Sequence, residues 1–178
     1  YHLSPNFLNK IKKKLNKNQQ IACMVNAKEI KNSKNLIDLL KPFNNFLDIV
    51  RFAVDPKNLD RTLKIISQAK KKINKIKFNL NLMYMSNWYN DLNYSKNLII
   101  KTKKVADEIA LVDSYGSLKP LEVHKFFKNI IKYNKDIKIG CHFHNNSGLA
   151  LANTISAIEA GCVTADTTLK GMGRGAGN

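Results

Sequence analysis

The sequence predicts an α/β fold built on a parallel sheet. Short apolar runs alternate with segments of helical periodicity, and the runs begin at intervals of roughly 25 to 32 residues, the length of one strand–helix unit. Several runs are apolar nearly throughout, as strands buried on both faces are. The predicted strands are residues 20–25, 46–54, 77–85, 108–112, 137–143 and 163–169. Strict alternation of this kind implies right-handed crossovers between parallel strands.

Amphipathic helices are predicted between these strands. Several begin at a pair of residues whose second member is proline, which is favoured at the first helical position. These pairs are Ser4-Pro5, Asp55-Pro56 and Lys119-Pro120. Further helices are predicted over residues 93–106 and 149–160, and Gly161 ends the latter as a glycine just beyond the helix.

Six strands fit two architectures, an open doubly wound sheet or part of an eight-stranded barrel, whose full size is about 250 residues. Residues 25–28 after the first strand do not form the glycine-rich loop of dinucleotide-binding sheets. Periodicity and composition leave the two architectures open. The chain has no linker or low-complexity segment, so residues 1–178 are interpreted as one domain. Because the sequence lacks an initiator methionine, we expect it to be a piece of a longer chain.

The formal net charge of +17 at first suggests a nucleic-acid-binding protein. However, 27 of the 30 basic residues are lysine, whereas sites that grip phosphates or base edges favour arginine. The lysine runs also fall on polar faces or ends of predicted helices, as solvated surface does. Composition therefore disfavours a nucleic-acid partner.

Cysteine count and hydropathy bear on the compartment. The odd number of cysteines, Cys23, Cys141 and Cys162, at wide spacings disfavours a disulfide framework and indicates a reducing compartment, the cytoplasm. No run of about 18 apolar residues exists, so no membrane span is predicted.

Two histidines mark the end of the fifth predicted strand. Side chains alternate along a strand, so His142 and His144 face the same side. Ligands of parallel α/β folds bind at the carboxyl ends of strands, and two imidazoles on one face can share a cation. A pair of hydrogen-bonded polar residues is an equally good interpretation. A metal site would need a third ligand from elsewhere in the chain.

Two further segments follow predicted strands. Asp113 and Ser114 come directly after residues 108–112 and could ligate a metal or hold a substrate group, although capping of the next turn is slightly favoured. The glycine-rich residues 171–178 follow the last strand, where backbone amides could approach an anion closely.

Taken in order, these blocks carry a recognisable pattern. It consists of His142-Phe-His144-Asn-Asn, Gly148-Leu-Ala-Leu-Ala-Asn153, Ala157-Ile-Glu-Ala-Gly161 and Gly171-Met-Gly-Arg-Gly-Ala-Gly-Asn178, with Asp113-Ser114-Tyr-Gly upstream. The pattern resembles the HMG-CoA-lyase-like family of metal-dependent TIM barrels, also known by its pyruvate carboxyltransferase domain. That family includes HMG-CoA lyase, 4-hydroxy-2-oxovalerate aldolase and the isopropylmalate, homocitrate and citramalate synthases. The glycine-rich segment is closest to the aldolase form.

The resemblance implies a fold and a set of ligands. The six strands would be the third to eighth of a TIM barrel, so the chain would be a single catalytic barrel domain lacking the first strands and the last helix. His142, His144 and Asn178 match the family's metal ligands, and Mn²⁺ or Mg²⁺ is the expected cofactor. Ser114 matches a residue that binds the substrate carboxylate, and Arg51 is a weaker substrate-binding candidate. The general base and the arginine that stabilises the enolate are expected on the segment that this sequence lacks.

The resemblance also implies a function. We expect an aldolase or lyase that acts on a 2-oxo acid of the 4-hydroxy-2-oxo type through a metal-stabilised enolate. The alternative within the family is a Claisen-type synthase that condenses acetyl-CoA with a 2-oxo acid. The alternative from another class is a lysine-rich nucleic-acid-binding protein. A small-molecule 2-oxo acid is the expected partner, no membrane association is expected, and a homo-oligomer is compatible with the sequence.

Overall fold

The computed structural model describes residues 4–173 and 175–177 and confirms the α/β prediction. All six strands are parallel and lie in the sheet in chain order. The strands are β1 (Ala22–Asn26), β2 (Ile49–Val54), β3 (Lys77–Leu82), β4 (Glu108–Asp113), β5 (Lys138–Phe143) and β6 (Thr164–Ala165). The helices are α1 (Pro5–Lys12), α2 (Ser33–Leu40), α3 (Leu59–Lys70), α4 (Leu92–Thr102), α5 (Pro120–Tyr133) and α6 (Ala150–Glu159).

Strand order decides between the two architectures that the sequence left open. An open doubly wound sheet reverses its strand order at a switch point. Here each crossover steps to the adjacent strand in the same direction, as in a barrel. Within the part of the chain that the structure describes, β1 and β6 each pair with one strand only, so the sheet is not closed and corresponds to part of a barrel.

The two faces of the sheet have different composition, and β2 shows the division. Val50, Phe52 and Val54 are at most 1% exposed and pack under the helices, where the hydrophobic core lies. The alternate residue Arg51 points to the opposite, inner face, in register with Asn79 of β3. Because side chains alternate, the same strand contributes apolar side chains to the core on one face and a polar side chain to the inner face on the other.

Several predicted strands are shorter in the structure, among them the strand predicted over 77–85, which ends at Leu82. The segment predicted over 46–54 begins only at Ile49, because the backbone N–H groups of Phe46 and Leu47 close a turn on the carbonyl of Phe43. The segment predicted over 163–169 forms only the short β6, and Leu169–Gly171 is a 3-10 turn. These differences concern strand ends, where local turns compete with the ladder.

The helices begin largely as the sequence predicts. α1 and α5 start at the proline of their pairs, whereas Asp55-Pro56 opens a 3-10 turn that leads into α3. α2 was not among the predicted helices, and its start is capped by Asn32, whose side chain accepts from the N–H of Asn35 at 2.8 Å. No helix in the described part of the chain is long and apolar enough to cross a membrane.

Candidate active site

The two histidines of β5 face each other at the carboxyl end of the sheet. The alternation of β5 places His142 and His144 on the inner face, and the Nε2 atoms of the two rings are 3.4 Å apart. Both side chains are partly buried. The β5 ladder fixes this position, since His142 is in register with Val112 of β4.

Asp166, just beyond β6, holds two of the inner-face side chains. Its Oδ2 atom lies 2.8 Å from Nδ1 of His142. Its two carboxylate oxygens also accept from both terminal nitrogens of Arg51, at 2.5 and 2.7 Å. The Nε of Arg51 donates to Oδ1 of Asn81 at 3.2 Å, which fixes the plane of the guanidinium. A planar carboxylate and a planar guanidinium fit each other in this two-bond arrangement.

These contacts determine the charge of Asp166. Burial alone would raise the pKa of this carboxyl group, but the hydrogen bonds from His142 and Arg51 and the nearby positive charge outweigh burial and lower the pKa below its ordinary value. Asp166 is therefore an ionised acceptor at neutral pH, and Nδ1 of His142 is the donor in the bond between them.

His144 is oriented in the same way, by an oxygen acceptor on its Nδ1 atom. Nδ1 of His144 lies 2.9 Å from the backbone carbonyl oxygen of Ala176, which can only accept a hydrogen bond. In the neutral form, both rings therefore carry their proton on Nδ1 and direct an Nε2 lone pair toward the other ring. Metal-binding histidines are commonly oriented in this way, by a carboxylate or a carbonyl on the second ring nitrogen.

The distance between the two Nε2 atoms fits a shared cation. Imidazole nitrogens bind metal ions at about 2.1 Å, so two nitrogens that share a cation are about 3.0 Å apart in octahedral coordination and about 3.4 Å apart in tetrahedral coordination. The observed separation is 3.4 Å. Among the described residues, no group of three or more His, Cys, Asp and Glu side chains is arranged to hold a metal. The third ligand that the resemblance implies, Asn178, lies outside the described residues.

Asp113 and Ser114 are separated by the alternation of β4. Asp113 is fully buried on the helix side, and its Oδ2 accepts from the backbone N–H of Leu118 at 3.0 Å, so it caps the loop after β4. Ser114 lies on the inner side, where its Oγ accepts from the backbone N–H of Tyr84 at 3.0 Å. Asp113 thus acts as the cap that the sequence slightly favoured, and Ser114 is the residue of the two on the inner side, where the histidines lie.

Gly116 brings the loop after β4 against the end of β5. A Cβ at this position would lie 2.5 Å from the carbonyl oxygen of His144, and the backbone has φ +57°. Only glycine fits both the close approach and the left-handed conformation. The loop that carries Ser114 is therefore held directly beside the histidine pair.

Asp166 and Asn81 were missed by sequence reasoning. Asp166 lies within the predicted strand 163–169, two residues after Thr164 and near a carboxyl end, so strand alternation places it on the inner face. An acidic residue within a predicted strand, on the same face as His142 and His144, was the available signal. Asn81 gave no comparable signal, because a single amide in a strand fits many environments.

Comparison with known proteins identifies the family of the chain. A family model described as HMGL-like matches residues 6–178. The 4-hydroxy-2-oxovalerate aldolase of Carboxydothermus hydrogenoformans is 44% identical over 73 residues, 41% of this chain and 21% of that protein. The homocitrate synthase of Pyrococcus abyssi is 32% identical over 119 residues, 67% of this chain and 32% of that protein. The matched regions thus span about a fifth to a third of these relatives.

Solved structures show the same relationship. The N-terminal domain of a candidate aldolase from Bacteroides vulgatus superposes with a TM-score of 0.86 at 34% identity, covering 98% of this chain and 56% of that one. The carboxyl transferase domain of Rhizobium etli pyruvate carboxylase gives a TM-score of 0.75 at 22% identity, covering 92% of this chain and 29% of that one, and supports the fold alone. On the family match, the inner-face histidines and the shared fold, the chain belongs to the HMGL-like family.

Proposed function

We propose that this chain forms the metal-binding and part of the substrate-binding site of an aldolase or lyase acting on a 2-oxo acid. The reaction class makes or breaks a carbon–carbon bond next to a carbonyl group, which requires an enolate of the 2-oxo acid. A 4-hydroxy-2-oxo acid is the proposed substrate type, in line with the relatives named 4-hydroxy-2-oxovalerate aldolase.

The geometry of the two imidazoles carries this proposal. His142 and His144 present their Nε2 atoms 3.4 Å apart, and each Nδ1 is engaged by an oxygen acceptor. We propose that these two nitrogens, together with Asn178, hold a divalent cation, Mn²⁺ or Mg²⁺. Such a cation acts as a Lewis acid that stabilises negative charge developing on a carbonyl oxygen.

Arg51 and Ser114 are proposed to bind the substrate carboxylate. The guanidinium of Arg51 has more N–H donors than Asp166 and Asn81 occupy, so it can also donate to an anionic ligand. The Ser114 oxygen already accepts from the N–H of Tyr84, so its own hydrogen is available for a ligand oxygen. Both donors face the inner side of the sheet, where the histidines lie.

Two assays test the proposal. Exchange of the pyruvate methyl protons into D₂O, followed by NMR with added Mn²⁺ or Mg²⁺, reports enolate formation without an aldehyde. Cleavage of 4-hydroxy-2-oxopentanoate is followed by release of aldehyde. His142→Ala should lose both activities and tight metal retention, whereas His124→Ala, on α5 and outside the site, should retain them. Full activity of His142→Ala would contradict the proposal.

A Claisen-type synthase is the second candidate. The similarity to homocitrate synthase extends over 67% of this chain, further than the aldolase matches do. Because both reactions use an enolate, methyl exchange of pyruvate does not separate them. Release of free CoA from acetyl-CoA in the presence of a 2-oxo acid would favour the synthase, and aldehyde release from the hydroxy-oxo acid would favour the aldolase.

We also propose a cytoplasmic location. Cys23, Cys141 and Cys162 are all free thiols in the structure. Free thiols persist where thioredoxin and glutathione keep them reduced. Localisation of the tagged full-length protein would test this proposal directly.

A further inference from the structure

Two tyrosines lie in the loops that follow β3 and β4, at the carboxyl end of the sheet, and have no part in the function proposed above. Tyr84 follows β3 and Tyr115 follows β4, with ring centroids 5.6 Å apart and planes inclined by 32°. Tyr115 is 51% exposed. Two contacts place the backbone of this loop pair near the site: the N–H of Tyr84 donates to Ser114, and Gly116 lies against the backbone of His144.

The backbone of Tyr84 is strained and firmly held. Its φ of 61° and ψ of 38° lie in the left-handed region, which a bulky side chain rarely adopts. Such a conformation persists where the surrounding structure over-determines it, and it is frequent at ligand-binding sites. Here both neighbours are anchored: Met85 is fully buried, and the carbonyl of Met83 accepts from the indole N–H of Trp88 at 2.9 Å.

Packing alone gives little reason for this arrangement. The Tyr115 ring contributes little to the core, since about half of it remains in contact with solvent. Trp88, by contrast, is 6% exposed and packs edge-on against Phe126. A Tyr84 ring on a firmly held backbone, in contact with a solvent-exposed Tyr115 ring, is an arrangement suited to a planar ligand group.

We propose that Tyr84 and Tyr115 form an aromatic platform that binds an aryl group of the substrate. This inference rests on the proposed function, because it assumes that the carboxylate end of a 2-oxo acid lies near Ser114 and Arg51. Ser114 is adjacent to Tyr115 in sequence and accepts from the backbone N–H of Tyr84, so in this proposal the far end of a substrate held at Ser114 reaches the two rings. The aryl group would then lie on C4, the carbon that becomes the aldehyde carbon after cleavage.

A pair of unreactive analogues isolates the platform. Benzoylpyruvate and acetylpyruvate share the same 2,4-dioxo acid head and differ only in a phenyl or a methyl group beyond C4. Neither carries the C4 hydroxyl that cleavage requires. Titration calorimetry with the full chain and Mn²⁺ should show that benzoylpyruvate binds roughly three- to tenfold more tightly, the effect of one aromatic contact.

Variants then assign the preference to the rings. Tyr115→Ala, a change at an exposed position, should reduce the ratio of the two affinities toward one, and Tyr115→Phe should preserve it. Tyr84→Ala should act as Tyr115→Ala does. Tyr133→Ala, at an exposed tyrosine at the end of α5, is the matched control and should leave the ratio unchanged.

The outcomes separate the platform from the proposed function. Equal affinities, no binding of benzoylpyruvate, or a preference that survives in Tyr115→Ala would overturn the platform. Pyruvate methyl exchange does not depend on an aryl group. Its presence or absence in the unsubstituted protein therefore tests the proposed function separately from the platform.

Discussion

The substitution Asp166→Asn tests how the site is organised. It keeps the size of the side chain but removes its charge, and an amide cannot accept from both Arg51 and His142 through two equivalent oxygens. His142 and Arg51 would then compete for one acceptor oxygen, so the bond that fixes the proton on Nδ1 of His142 and directs its Nε2 lone pair toward His144 would be weakened. We therefore expect Asp166→Asn to weaken metal binding without displacing either histidine from β5.

The size of the effect follows from these contacts. Loss of the hydrogen-bond partner behind a metal-binding histidine reduces metal affinity by about 10- to 100-fold. The same substitution weakens the ion pair between Asp166 and Arg51. The side chains of both residues are 21% exposed. Hydrogen bonds between charged groups contribute about 1 to 3 kcal/mol, so we expect a loss of that order in the free energy of unfolding. The cost should stay below that of breaking a fully buried pair, because solvent still reaches both groups.

Two measurements separate these effects. Mn²⁺ binding, followed by the loss of the free-ion EPR signal, gives the metal affinity, and urea denaturation gives the free energy of unfolding. Asp60→Asn is the matched control, since it also removes an aspartate bonded to a cation, here Lys101 on the exposed surface, and should change the free energy of unfolding by less than about 1 kcal/mol. Unchanged Mn²⁺ affinity in Asp166→Asn would refute the role of Asp166 as the residue that orients His142.

Further predictions concern the same site. Arg51→Lys keeps the charge but loses the planar arrangement of N–H donors, so the KM for pyruvate should rise about tenfold. Arg61→Lys, on α3, is the control. An unchanged KM in Arg51→Lys would contradict a role of Arg51 in substrate binding. Gly116→Ala should destabilise the protein by about 1 to 3 kcal/mol in urea denaturation, because its Cβ would meet the carbonyl of His144 in a left-handed backbone. A stability equal to that of the unsubstituted chain would mean that the loop moves freely. Because the pKa of Asp166 is lower in the folded state, its ionised carboxylate stabilises the fold at pH values above the unfolded-state pKa of about 3.9. This stabilisation is lost as the pH falls through the lower folded-state pKa. Asp166→Asn should therefore lose less stability on acidification than the unsubstituted chain.

The sequence predicted the elements of the fold better than their ends. Strand periodicity located all six strands, and β2 to β5 each bury apolar side chains on the helix side. α2 was missed because it begins without proline and its capping residue, Asn32, lies in a polar stretch rich in asparagine and lysine. The shortness of β6 was missed because pairing depends on the neighbouring strand, and the residues after Ala165 leave the ladder.

The site shows a similar limit. The period of two along β5 sufficed to place His142 and His144 on one face. Their partners could not be predicted in the same way: Asp166 and Arg51 are 115 residues apart and meet only through the curvature of the sheet. The tyrosine pair depends on a left-handed residue at Tyr84, a conformation that the sequence does not indicate for a bulky side chain.

The inner face of the sheet is also unusual for a barrel interior, which is commonly filled by branched apolar side chains. Here Arg51, Asn79 and Asn81 occupy neighbouring positions of β2 and β3, and Oδ1 of Asn79 is buried with no hydrogen-bond partner among the described residues. A buried, unpartnered amide oxygen is destabilising, so packing does not account for it. The alternate residues of the same strands, such as Phe52 and Leu80, are fully packed under the helices. We therefore expect substitutions of Asn79 and Asn81, on the inner face, to change ligand binding more than they change the free energy of unfolding.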